Sequence, residues 1–171
     1  MAAGTISSLV STARGVGARG RQPYMVQQEI NLASAVAAKG SALEAGEIIQ
    51  AISVPAETMI LTAGFEMTAS VQAAADGNTM HLGVTGVDVS RFVSAFDIDD
   101  DSAALSSGVG YATMADASAP IFCEAADTID LELEATTTAP TEGKIRVFAV
   151  LMNMADTGDM TANEVDRDTL A

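Results

Sequence analysis

Apolar and polar residues alternate with a period of two along most of the chain. Gln28, Ile30 and Leu32 interleave with Gln27, Glu29 and Asn31, the pattern of a half-buried strand. Ile48, Ile49, Ile52 and Val54 form a β-branched run that Pro55 ends, and Met59, Ile60 and Leu61 resume after Pro55-Ala56-Glu57. Phe65, Met67 and Ala69 alternate with Glu66, Thr68 and Ser70. Asp76-Gly77-Asn78 is a hairpin signal, because Gly and Asn tolerate positive φ. Strands are expected over Thr79 to Val84, closed by Gly86, and over Arg91 to Phe96. A further short strand is expected near Tyr111, inside the Gly/Ser/Ala-rich stretch from Ser102 to Pro120.

The last two strands carry the clearest alternation. Ile129, Leu131 and Leu133 interleave with Asp130, Glu132 and Glu134. After the turn Pro140-Thr141-Glu142-Gly143, Ile145, Val147, Ala149 and Leu151 interleave with Arg146, Phe148, Val150 and Met152. Beyond Arg146 both faces of this strand are apolar, which predicts a central strand or one covered on both sides. Only Ala33 to Gly46 is ambiguous: it reads as a short helix or as a loop turning at Lys39-Gly40. Seven or eight short strands with no long helical period predict an all-β fold, a sandwich or barrel.

The core then runs from about Tyr24 to Met152. Residues 1–23 read as an extended N-terminal arm that Pro23 closes: Gly, Ser, Thr, Ala and Arg with no sustained apolar period cannot repay their ordering entropy alone. Residues 153–171 read as an acidic, mobile tail of net charge −4.

Charge sharpens this division. The chain of 171 residues carries a formal net charge of −15. Residues 1–24 hold Arg14, Arg19 and Arg21 and no acid, so the rest of the chain carries −18. Such a body does not bind nucleic acid in general, which takes a broad basic face. A positive arm on a negative body suits docking on an acidic protein surface or on another copy. Arg14, Arg19 and Arg21 are therefore the candidate partner-binding residues.

Catalytic chemistry finds little support. His81 is the only histidine and Cys123 the only cysteine, which excludes His-pair metal motifs, an internal disulfide and multi-cysteine zinc sites. His81 between Met80 and Leu82 reads as a packed or surface residue, and Cys123 as a small buried thiol. There is no G-x-S-x-G elbow and no phosphate-cradling glycine loop. Asp97, Asp99 and Asp101 have the spacing that opens a calcium loop, but its sixth and twelfth positions are Ser102 and Gly108 where glycine and glutamate are needed. The cluster reads as a solvated acidic loop, with a looser Ca²⁺ site as the alternative. Paired carboxylates for glycoside hydrolysis carry no specificity in a chain with 23 acids. The chain is read as a non-enzyme with no cofactor and no metal. With 32 alanines the hydrophobic fraction of 49% overstates the core, and no apolar run approaches the 18 or so residues of a membrane span.

Four segments also carry a resemblance. Glu47-Ile48-Ile49-Gln50-Ala51-Ile52-Ser53-Val54-Pro55-Ala56-Glu57-Thr58, with Leu61 and Gly64-Phe65-Glu66 after it, resembles small structural proteins of tailed bacteriophages, especially marine and cyanobacterial phages. His81 to Asp88 with Arg91-Phe92-Val93, Ala125 to Leu131, and Gly143 to Val150 are similar to later strands of the same group, in the same order. The resemblance spans most of residues 45–152 and implies a β-sandwich of jelly-roll type in an accessory virion protein. It implies a capsid decoration, or cement, protein on the outer surface of the head, a homotrimer whose partner is the major capsid protein. A head-fibre or tail-tip adhesin for a host glycan is the alternative reading. A third, a small cell-envelope hydrolase, needs a site the sequence does not offer.

Overall fold

The structure is a computed structural model, and it describes residues 5–6, 11–12, 23–72, 77–98, 110–113, 120–135 and 139–154. Two sheets face each other. Among the described residues, eleven strands and one helix follow in chain order: β1 Thr5–Ile6, β2 Ser11–Thr12, β3 Tyr24–Asn31, α1 Leu32–Lys39, β4 Glu47–Val54, β5 Thr58–Gln72, β6 Thr79–Val84, β7 Asp88–Asp97, β8 Gly110–Thr113, β9 Ile121–Cys123, β10 Asp127–Ala135 and β11 Glu142–Asn153. Sheet A has the order β1-β4-β10-β6-β7, with β2 also on β4; sheet B has the order β3-β11-β5-β8, with β9 also on β5.

The pairing is nested. β3 pairs with β11 and β4 with β10, both antiparallel. β5 pairs with β8 and β9, and β6 with β7, again antiparallel. The chain is thus a long antiparallel ribbon folded over on itself, which is the jelly-roll form of the β-sandwich. The sequence-level fold class, all-β and of jelly-roll type, is the one observed.

Nesting changes how two turn signals act. Asp76-Gly77-Asn78 reads locally as a hairpin, yet β5 and β6 belong to different sheets, so this connection crosses the sandwich. Gly77 keeps a positive φ of 113° there. The turn at Pro140 to Gly143 likewise joins β10 in sheet A to β11 in sheet B. Ile129, Leu131 and Leu133 therefore face Ile145, Val147, Ala149 and Leu151 across the core and are not neighbours within one sheet. All seven are buried. β11 is central, between β3 and β5.

The ambiguous segment after β3 is a helix with both ends capped. The Asn31 side chain accepts from the backbone N–H of Ala33 (2.9 Å) and Ser34 (3.4 Å). Gly40, at φ 78°, ends α1 in the left-handed region and donates its N–H to Val36 O at 2.9 Å. Lys39, in the last turn, forms an ion pair with Glu47, which is fully buried at the start of β4. Phe65 of β5 and Phe96 of β7 meet edge to face across the core, centroids 5.3 Å apart.

Candidate docking surfaces

Sheet B presents an outer face whose two halves differ in chemistry. Alternation on β11 sends Ile145, Val147, Ala149 and Leu151 inward and Arg146, Phe148, Val150 and Met152 outward. The register then fixes their neighbours. Arg146 lies across from Glu29 of β3 and Glu66 of β5. Phe148 lies across from Gln27 and Gly64, Val150 from Met25 and Thr62, and Met152 from Met59. Phe122 of β9 stands opposite Met59.

One half is an ion network that balances to zero. Arg146 Nη1 donates to Glu66 Oε1, and Arg146 Nη2 lies 3.7 Å from Glu29 Oε2. Lys144 Nζ lies 3.4 Å from Glu29 Oε1, and the Thr68 hydroxyl donates to Glu29 Oε2 at 3.2 Å. The other half is apolar. Met25 is 63% exposed and Phe122 45%, with Phe148, Val150, Met152 and Met59 half-buried between them. Isolated exposed hydrophobes are ordinary on a protein surface; six on adjacent strands form a patch, the usual mark of an interaction face. The alternation on β11 announced its half of the patch, whereas Met25, Met59 and Phe122 join it only through strand register.

The second surface is the outer edge of β4. Thr5 and Ile6 pair with Ile48 and Ile49, and Ser11 and Thr12 with Ile52 and Ser53, both in parallel. Two pieces of the N-terminal segment thus lie along this edge. Arg14, Arg19 and Arg21 lie outside the described residues, as do Asp99, Asp100 and Asp101 of the acidic cluster.

The residues weighed for chemistry have structural partners. The backbone N–H of Ala95 donates to His81 Nδ1 at 2.9 Å, and His81 Nε2 lies 3.4 Å from Glu134 Oε2. Ala95 has a φ of 47°, at the point where two residues of β7, Ser94 and Ala95, stand opposite the single residue His81 of β6. His81 therefore receives the backbone donor that this bulge withdraws from the ladder. Cys123 is a free buried thiol whose pKa burial pushes up, with Asp127 adding to the shift, the reverse of an activated nucleophile. No group of three or more His, Cys, Asp or Glu side chains able to hold a metal occurs among the described residues. No helix among them is long and apolar enough to cross a membrane.

A second buried carboxylate besides Glu47 is Asp130, on β10. Thr85 donates its hydroxyl and its backbone N–H (3.3 Å) to Asp130 Oδ2. Gln50 Nε2 donates to the Thr128 hydroxyl at 3.2 Å. Desolvation raises the Asp130 pKa above the ordinary carboxylate range against the hydrogen bonds from Thr85 and Thr128, and nearby Asp127 raises it further. These contacts tie the β6–β7 turn to β10. At that turn Gly83 packs so closely that an added Cβ would meet Asp88 O at 2.1 Å.

No family model matches the chain, and no curated protein matches it. Three solved structures share its fold. A chain in the capsid of Ralstonia phage GP4 aligns with a TM-score of 0.56 and 13% identity, covering 89% of this chain and 99% of that one. A chain in the cyanophage Pam1 capsid asymmetric unit aligns at 0.54 and 15%, covering 82% and 91%. A chain in the acid-stable capsid of Helicobacter pylori bacteriophage KHP30 aligns at 0.54 and 9%, covering 80% and 92%. The class of fold is therefore a jelly-roll sandwich of a kind found in phage capsids, matched over almost the whole length of each of those chains.

Proposed function

We propose that the chain is a structural protein of a tailed-phage virion, and within that class a decoration protein on the outer surface of the head. The observation that carries this reading is the shared fold in three phage capsid structures, each neighbour covered over at least 91% of its own length. The surface chemistry supports it. On a body of net charge −18, the outer face of sheet B has its charges paired in one half and is apolar in the other, so a partner can cover the apolar half while the ion network stays at a wet rim. Its occupant in this reading is the major capsid protein. Arg14, Arg19 and Arg21 add bidentate contacts to capsid carboxylates and carbonyls. A ligand that binds only the assembled lattice stabilises it by mass action. A homotrimer matches local three-fold axes between capsomers.

The test is to strip purified heads of this protein, add it back, and measure sedimentable protein and the melting temperature of the heads. The reading expects saturable binding at a stoichiometry set by the lattice, with a rise in melting temperature. Absence of the protein from purified virions by mass spectrometry overturns it.

A further inference from the structure

We infer that His81 is a pH-operated latch on β7: its neutral ring holds the bulge at Ala95, and its protonated ring releases that bulge and pairs with Glu134 instead. His81 lies on β6, with β10 on one side and β7 on the other. Its ring has a partner on each side. The Ala95 N–H of β7 donates to Nδ1 at 2.9 Å, and Nε2 lies 3.4 Å from Glu134 Oε2 of β10. Accepting at Nδ1 takes a lone pair there, which assigns the neutral ring with its proton on Nε2, toward Glu134. A protonated ring carries a hydrogen on both nitrogens, so Nδ1–H confronts the Ala95 N–H, donor against donor.

The surroundings serve the two ring states with different strands. On the β7 side, Ala95 is exposed and holds a φ of 47°, a conformation that residues with a Cβ seldom keep unless their surroundings hold it. The ladder passes over this bulge, so the ring is the acceptor that shields its N–H. On the β10 side, Glu134 is already aimed: its Oε2 also accepts from the Thr79 hydroxyl at 3.0 Å. Glu132 of β10 stands in register with His81, and Asp88 of β7 lies within electrostatic reach of both His81 and Arg91. These carboxylates outnumber the one guanidinium and favour the charged ring, while the Ala95 N–H favours the neutral one. Imidazole is the side chain that ordinarily changes charge between about pH 5 and 8. The release is confined to Ser94 and Ala95, because the next residues stay tied down: Phe96 packs on Phe65, and the Ile98 N–H donates to Asn78 O at 3.0 Å. The inference stands apart from the virion reading, since it needs only these contacts within one chain.

The experiment follows ring and amide together in the ¹⁵N-labelled full-length protein by NMR between about pH 5 and pH 8. Ring nitrogen shifts report the proton on Nδ1, and solvent exchange, normalised to the intrinsic rate at each pH, reports protection of the Ala95 amide. The latch predicts that Ala95 protection falls at least about 10-fold by one pH unit below the ring's own midpoint, where only about a tenth of the rings are neutral. The amide of Leu131, in the middle of β10, should stay protected throughout. His81→Gln supplies an acceptor that does not titrate, so Ala95 protection should become independent of pH. Glu134→Gln removes the carboxylate that receives the charged ring, so the ring and Ala95 signals should move together to lower pH. If the ring takes its proton while Ala95 stays protected, the two are not coupled and the proposal is overturned. If the ring stays neutral down to pH 5, the bond outlasts the window and the latch is equally overturned.

Discussion

Thr85 holds the buried carboxylate of Asp130 with two donors, its hydroxyl and its backbone N–H, across 45 positions of sequence. The pair joins the turn after β6 to the middle of β10, and it makes stability depend on pH in a definite direction. Asp130 has a folded pKa above its unfolded value of about 3.9. Its contribution is therefore fully present below that unfolded value and is lost as pH rises through the folded one. Asp130→Asn removes this titration. Urea unfolding between pH 3 and pH 8 should show the variant gaining on the unsubstituted protein as pH rises through this window, then a constant difference. A difference that does not change with pH would show that Asp130 titrates normally.

Removing the other partner should act oppositely. Thr85→Val deletes the hydroxyl donor to a buried charge, which costs about 1.5–3 kcal/mol. The loss should be larger at pH 7 than at pH 3, where the carboxyl is protonated, and the same unfolding series measures it.

Core and turn substitutions separate two kinds of damage. Leu131→Ala leaves a cavity at a fully buried site and should cost about 2–5 kcal/mol. Gly83→Ala is a smaller chemical change with a comparable or larger effect, because the new Cβ meets backbone atoms of Asp88 and Val89 that cannot rotate away. Denaturant midpoints of the two variants check the ordering.

The Lys39–Glu47 ion pair predicts strong non-additivity. Lys39→Met leaves the fully buried Glu47 without its cation and should cost about 3–5 kcal/mol. Replacing both residues by methionine removes the stranded charge and should recover much of the loss. A double-mutant cycle in urea reads this directly.

Docking and folding should separate on sheet B. Val150→Asp places a carboxylate in the apolar half beside Met25; the site is half-buried on a central strand, so a cost of about 1 kcal/mol is expected, with the sandwich still folded. Retention on purified heads after sedimentation should fall sharply. Reversing the charge of Arg14, Arg19 and Arg21 should weaken retention less, with the difference shrinking at high salt. Chelation of divalent ions should leave the melting temperature nearly unchanged, since the sequence around Asp97 lacks the glycine and glutamate of a tight calcium loop.

Alternation is a local property, and it alone determined which residues of β10 and β11 point inward. Ile129, Leu131 and Leu133, and Ile145, Val147, Ala149 and Leu151, follow from a period of two with no knowledge of their partners. The acidic body, the basic arm and the absence of paired histidines or cysteines are equally plain in the chain. The capped helix was half-legible: Lys39-Gly40 marked its end, but the alanine-rich stretch before it has too weak an amphipathic period to choose helix over loop, and the Asn31 cap emerged only in the structure. Strand partners are a different matter. A turn such as Asp76-Gly77-Asn78 specifies a change of direction, not whether the next strand stays in the same sheet. That was settled by the nested ribbon, in which each sheet buries one apolar face against the other and β5 finds its antiparallel partners in β8, β9 and β11. Only this tertiary arrangement sets Met25, Met59, Phe122 and Phe148 on one face and lays Thr5–Ile6 and Ser11–Thr12 along β4, because side-by-side placement of strands distant in sequence is decided by total burial and backbone hydrogen bonding, which no local pattern encodes.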